Sequence, residues 1–151
     1  MKYSDRILNT PSSFIRDILK VTDAPDVISF AGGLPNPVSF PIGDVQESIE
    51  GAIKKNGSKL FQYSTTEGYL PLREMIAAKY RRKFNLDVNP EDVLITNGSQ
   101  QALELLGKVI LNKGDQVLME EPGYLGAIQA FSLCEPEFLS VTLEEDGLDL
   151  V

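Results

Sequence analysis

Apolar positions along the chain alternate between two spacings, and the changes of spacing mark its elements. Val93, Leu94 and Ile95 form a short run of branched residues, the composition of a strand buried on both faces. The run breaks at Asn97-Gly98, where glycine lets the backbone turn sharply. From Ser99 the apolar residues Ala102, Leu103, Leu106, Val109 and Ile110 recur at three and four positions, so a Ser-capped helix beginning near Ser99 turns one stripe to a core. The same sequence of events repeats downstream. Gln116 to Glu120 reads as a second buried strand, Glu121-Pro122-Gly123-Tyr124 as a strand-to-helix turn carrying an aromatic, and Ala127, Ile128 and Phe131 as the helix after it. Phe138 to Leu143 is a third strand with partial alternation. Strands and helices in this order predict an α/β fold with parallel pairing and right-handed crossovers.

Upstream the pattern is more broken. Met1 to Pro11 is polar and aperiodic, an arm. Ser12 or Ser13 caps a short helix in which Ile15, Ile18 and Leu19 share a face, with Arg16 off that face as a surface residue. Val27 to Phe30 is extended, and Ala31-Gly32-Gly33 with Pro35, Pro37 and Pro41 then specify a defined loop to which other groups can come close. A helix over 44–55 puts Val45, Ile49 and Ile53 on one face and stops at Gly57. Phe61 to Tyr69 has no clear period and reads as an exposed loop. Leu70-Pro71-Leu72-Arg73 opens the next helix, with proline in its first turn and Leu72, Met75, Ile76, Tyr80 and Phe84 as the apolar stripe. Asn85 to Asp92 is a turn containing Pro90.

Composition narrows the chemistry. A chain of 151 residues suits one domain. With 22 acidic against 14 basic side chains the net charge is -8, and the basic run Lys79-Tyr80-Arg81-Arg82-Lys83 reads as the solvated face of a helix, so nucleic acid and anionic membrane are poor partners. Histidine is absent and Cys134 is the one cysteine, which excludes a disulfide framework, a Cys/His metal site and a Ser-His or Cys-His nucleophile within one chain. Cys134, at the end of an apolar helix, reads as a buried inert thiol. No apolar run reaches the ~18 residues of a membrane span and the first residues lack the layout of a signal peptide, so a cytoplasmic location is expected by default.

The turn at Asn97-Gly98 is the candidate site. The amides of Gly98, Ser99 and Gln100 have no partner within the helix they begin, and with the helix dipole they suit an anion, ideally a phosphate. Many α/β proteins carry such a turn with nothing bound. A second feature adds to it: in a parallel sheet ligands sit beyond the carboxyl ends of the strands, and both Ser99 and Tyr124 leave strands at that end. One offers an anion site and the other a flat ring able to stack on an aromatic ligand. A phosphorylated aromatic cofactor satisfies both.

Four segments then carry a family resemblance: Phe30-Ala31-Gly32-Gly33-Leu34-Pro35, Tyr63 with Gly68 to Arg73, Thr96-Asn97-Gly98-Ser99-Gln100-Gln101-Ala102, and Glu121-Pro122-Gly123-Tyr124. In this order they resemble the N-terminal part of class I/II aminotransferases, pyridoxal-phosphate enzymes of fold type I. Ser12 to Leu19 joined to the Ala31-Gly32-Gly33 loop resembles the group acting on 2-aminoadipate, kynurenine and aromatic amino acids. The resemblance implies an arm and substrate-side loop over 1–43. It implies an incomplete large domain over 44–151, holding the N-terminal helices and the first three strands and helices. Gly98, Ser99 and Gln100 would hold the phosphate of pyridoxal 5'-phosphate, and Tyr124 would stack on its ring. Tyr63 would reach across a homodimer interface to the phosphate of the neighbouring subunit. Gly33 would lie against the substrate carboxylate, and Arg16 would meet an acidic substrate side chain.

The family's cofactor-binding lysine, the aspartate at the pyridine nitrogen and the arginine gripping the substrate carboxylate would all lie beyond Val151, so no catalytic residue is assigned. The parent reaction implied is amino transfer from an amino acid to a 2-oxo acid, with the isolated chain inactive and binding the cofactor weakly at best. The family's sheet order also leaves the first strand, Val93 to Thr96, without a neighbour in this chain, with strand edges and apolar faces exposed. The alternative is a non-catalytic phosphate- or cofactor-binding module such as the effector domain of a transcription regulator. That reading expects a basic helix-turn-helix ahead of this region, where the sequence has only the arm from Met1.

Overall fold

Residues 2–8, 26, 28, 30, 33–145 and 147–148 are described by this computed structural model, in which the chain divides into two units: Ser12–Thr66, and Met1–Pro11 together with Glu67–Val151. The short helix expected over Ser12 to Leu19, with Arg16, lies outside the described residues. The arm holds one helical turn, Asp5–Leu8.

In the Ser12–Thr66 unit, the proline-rich stretch ends in a 3-10 turn, Pro37–Ser39, capped by Asn36, whose Oδ1 accepts from the Val38 amide at 3.1 Å. Helix α1 follows over Ile42–Asn56. It exceeds the expected 44–55 at both ends, because the Pro41 carbonyl already accepts from the Val45 amide at 3.0 Å and Asn56 folds its own side chain back onto the Ala52 carbonyl. Gly57 ends it with a φ of +56°, a conformation that favours glycine, and Lys54 and Lys55 sit in the last turn where cations complement the dipole. A 3-10 turn over Gly57–Phe61 takes the first residue of the expected loop, which then runs on from Gln62.

In the second unit, helix α2 spans Leu70–Phe84, with Pro71 in its first turn and Asn85 closing it in the left-handed region at φ +53°. Asn89 and Asp92 form a reciprocal capping box around the 3-10 turn Pro90–Asp92. Val93 to Thr96 is extended but is not a strand, contrary to the reading of its apolar run. Extended backbone becomes a strand only by pairing, and no described segment pairs with it; its backbone ties are the Val93 amide donating to the Pro90 carbonyl at 3.3 Å and the Ile95 amide donating to the Glu67 carbonyl at 2.9 Å.

Helix α3 then runs over Ser99–Ile110, strand β1 over Gln116–Glu121, helix α4 over Leu125–Ser132 and strand β2 over Glu137–Glu144. β1 and β2 pair in parallel, from Gln116 opposite Glu137 to Glu121 opposite Thr142, as the alternating order requires. A short β3, Gly147–Leu148, returns antiparallel on β2 and has no counterpart in the sequence reading. The sheet order is β1-β2-β3.

Neither strand is buried on both faces. In β1 Val117 and Met119 are half-buried while Leu118 is 53% exposed, so one face is covered and the other is open. Helices α3 and α4 pack closely at Gly107, where a Cβ would lie 3.2 Å from Phe131 Cδ1 and 3.4 Å from Cys134 Sγ. Cys134 is half-buried rather than fully buried, and lies two residues past the end of α4 at Ser132. Among the described residues the buried apolar side chains are Ala77, Ala127 and Ala130, and no helix is long and apolar enough to cross a membrane.

Candidate functional site

The site begins where Val93 to Thr96 meets α3. Gly98 stands at the N-cap with φ +83° and ψ 168°, and a Cβ there would meet nothing within 4 Å. No side chain caps the helix, so Ser99 is its first residue rather than its cap, a correction to the expected Ser-capped start. The Thr96 hydroxyl donates to the Gly98 carbonyl at 3.1 Å, and Gln101 Oε1 accepts from the Asn97 amide at 2.6 Å, which closes the turn from inside. The amides of Gly98, Ser99 and Gln100, and the Ser99 hydroxyl, have no partner among the described residues. A helix that leaves these donors free where glycine opens the backbone presents several N–H groups to one point.

The second component comes from α4. Gln100 Nε2 donates to the Gly126 carbonyl at 3.0 Å, joining the first turn of α3 to the first turn of α4. Tyr124 precedes α4 with its ring 61% exposed. A Cβ added at Gly126 would lie 2.7 Å from both Cζ and the hydroxyl oxygen of Tyr124 and 2.9 Å from Gln100 Oε1. The Tyr124 ring and the Gln100 side chain therefore both rest on Gly126, and the aromatic stands beside the helix end that carries the free amides.

Two remaining candidates belong to the Ser12–Thr66 unit. Gly33 has φ +59°, and a Cβ there would meet nothing within 4 Å. The Tyr63 ring is 99% exposed and its amide donates to Gln62 Oε1 at 2.9 Å. Arg16 lies outside the described residues. The sequence reading used Gln100 only for its backbone and passed over Gly126; a glycine inside the first turn of an otherwise apolar helix was the available signal for a close approach.

The family model described as "Aminotransferase class I and II" matches residues 36–150. The chain belongs to this family. It is 50% identical over 139 residues to the 2-aminoadipate transaminase of Thermus thermophilus, covering 92% of this chain and 34% of that protein. It is 40% identical over 148 residues to aromatic-amino-acid aminotransferase 1 of Thermococcus litoralis, covering 98% of this chain and 36% of that one. Among solved structures it matches the kynurenine aminotransferase of Pyrococcus horikoshii, crystallised with PMP, with a TM-score of 0.88 and 39% identity over 98% of this chain and 36% of the other. This aminotransferase chain thus spans about a third of the length of these relatives. Its fold is that of part of the fold type I large domain.

Proposed function

We propose that the polypeptide carrying this chain is a pyridoxal-phosphate-dependent aminotransferase, moving an amino group from an amino acid to a 2-oxo acid. These residues supply its phosphate cup and ring platform. The observation that carries this reading is the set of unpartnered amides at Gly98, Ser99 and Gln100 standing next to the Tyr124 ring. The donor set fits the cofactor: N–H groups and a hydroxyl for a phosphate, and an accessible phenol ring for a pyridine. When bound, the cofactor supplies an electron sink that stabilises negative charge on the substrate carbon.

The chain's own residues bind and orient. The α3 amides and the Ser99 hydroxyl fix the phosphate, and the Tyr124 ring, braced on Gly126, sets the plane of the pyridine. Tyr63, fully accessible in its loop, would complete the phosphate cup of a second subunit in a homodimer. Gly33, with no side chain, would let a substrate carboxylate approach the backbone. Arg16 would meet an acidic side chain, which suits a 2-aminoadipate-like substrate as in the Thermus relative. We assign residues 1–43 to the arm and substrate-side loop and 44–151 to the large domain, in a cytoplasmic enzyme.

Purified full-length protein should bind pyridoxal phosphate with an absorbance band that survives dialysis, and should transfer an amino group from 2-aminoadipate or an aromatic amino acid to 2-oxoglutarate. Tyr124→Leu should raise the cofactor Kd about tenfold, the equivalent of ~1.4 kcal/mol. Full-length protein that neither retains the cofactor nor transfers an amino group overturns this reading.

A further inference from the structure

We propose that Arg73 is a positioning residue for the phosphate turn: its guanidinium fixes the approach of Val93 to Thr96, the segment that delivers Gly98, Ser99 and Gln100 to the anion. The proposal rests on the reading of that turn as the cofactor-phosphate site.

Arg73 is 8% exposed in the first turn of α2, where a cation opposes the helix dipole, and it has no acidic partner among the described residues. Its charge is met by backbone carbonyls instead. Nε donates to the Gly68 carbonyl at 3.2 Å and Nη1 to the Pro90 carbonyl at 2.9 Å. These carbonyls flank the segment that has no strand neighbour. Gly68 adjoins Glu67, whose carbonyl accepts from the Ile95 amide at 2.9 Å, and Pro90 opens the 3-10 turn that feeds Val93.

The contact is tight as well as bonded. Gly68 has φ +99°, and a Cβ there would lie 2.6 Å from Ile95 Cγ1 and 2.7 Å from its Cβ, so the Gly68 backbone lies directly against the Ile95 side chain. In a complete sheet a neighbouring strand would hold such a segment by a ladder of hydrogen bonds; among the described residues the segment bonds through Val93 to Pro90 and through Ile95 to Glu67, and a single arginine, donating to the Pro90 carbonyl and to that of Gly68 beside Glu67, ties those two anchors together. The guanidinium is suited to it because its donors diverge from a rigid plane, whereas a lysine ammonium acts as a point.

The test uses the full-length polypeptide as wild type, Arg73→Met and Arg73→Lys, with three readouts: hydrogen exchange of the Ile95 amide in the cofactor-free protein, the Kd for pyridoxal phosphate, and the 31P resonance of the bound phosphate. Arg73→Met should speed exchange at Ile95 at least tenfold while amides of β1 and α4 stay within twofold of wild type. It should also raise the cofactor Kd at least tenfold and shift the phosphorus resonance, with Arg73→Lys falling between. Exchange and Kd both within twofold of wild type overturn the proposal. So does faster Ile95 exchange with an unchanged Kd in a cofactor-binding wild type, and so does equal acceleration across β1 and α4, which is general destabilisation. If Arg73→Met does not fold, Arg73→Lys decides by the same thresholds. A wild type that binds no cofactor, with Ile95 exchange still rising locally in the variant, defeats the cofactor reading and supports the positioning role.

Discussion

Gln100 donates from Nε2 to the carbonyl oxygen of Gly126 at 3.0 Å, and so one side chain on α3 holds the start of α4. The bond is worth ~0.5–1.5 kcal/mol by ordinary accounting. Its consequence is geometric: the backbone stretch from Tyr124 to Gly126 is tied to the helix whose free amides form the proposed phosphate cup. Ring and cup are thereby tied to each other, an arrangement that favours a ligand needing both.

Gly126→Ala tests that coupling. A methyl group would intrude to 2.7 Å from Tyr124 Cζ and 2.9 Å from Gln100 Oε1, and the ring end or the amide must move away. Displacing the ring forfeits a stacking contact of ~0.5–1.5 kcal/mol, so the cofactor Kd of the full-length protein should rise between about two- and tenfold. Alanine favours helix, so the unfolding midpoint should fall by less than the binding loss implies. Fluorescence titration of the cofactor checks the first and thermal melting of the cofactor-free protein the second; an unchanged Kd would show that the ring does not depend on Gly126.

Gly68→Ala should act on stability instead. The new Cβ would meet the Ile95 side chain at 2.6 and 2.7 Å, and a φ of +99° strains any L residue. Backbone strain of ~1–3 kcal/mol and overpacking of similar size place the loss at roughly 2–6 kcal/mol. Urea unfolding of the full-length protein measures it. A loss below ~1 kcal/mol would mean that Glu67-Gly68 and Ile95 part easily, which would also weaken the role given to Arg73.

These two glycines mark the limit of what the sequence made legible. The α3 start at Ser99, the parallel β1 and β2, and the stop at Gly57 follow from local rules, since periodicity, a helix dipole and a left-handed glycine each act within a few residues. Val93 to Thr96 lacks a pairing partner among the described residues, as the resemblance implies, and is therefore no strand; its composition matches one whether or not a partner is present, because pairing is a property of neighbours. The Gln100 bond to Gly126 and the Arg73 bonds to Gly68 and Pro90 join residues apart in sequence, so no spacing rule reports them. Arg73 left one trace, a basic residue in a helix first turn, which opposes the dipole.

Asp87→Asn offers a contrast between exposed and buried arginines. Arg81 meets Asp87 at 2.8 Å, but the two side chains are 64% and 84% exposed. Water and salt screen such a pair, which contributes ~0.2–1 kcal/mol at most. The variant should therefore change urea stability by no more than ~1 kcal/mol, and less still at high salt. A larger loss that persists at high salt would mean that Asp87 does something other than pair with Arg81.

The apolar face of α3 gives a prediction whose sign depends on the length of the polypeptide. Val109 is 81% exposed, Ile110 63% and Leu106 52%, and Leu94, Thr96, Ala102 and Leu105 join Leu106 and Val109 around an open apolar hollow of about 310 Å³. An apolar stripe this continuous is unfavourable in water and is the kind of surface that further protein covers. In the isolated 151-residue chain, Val109→Lys should raise solubility and lower binding of a hydrophobic dye, because it replaces exposed apolar area with a charge. In full-length protein, if the remainder packs there, the same change should cost roughly 2–4 kcal/mol, combining the lost burial with a charge forced toward a core. Solubility and dye fluorescence read the first arm and urea unfolding the second. Equal, small effects in both would show that α3 keeps this face open to solvent in the complete protein, and that the hollow beside Leu94 is not where the rest of the sheet packs.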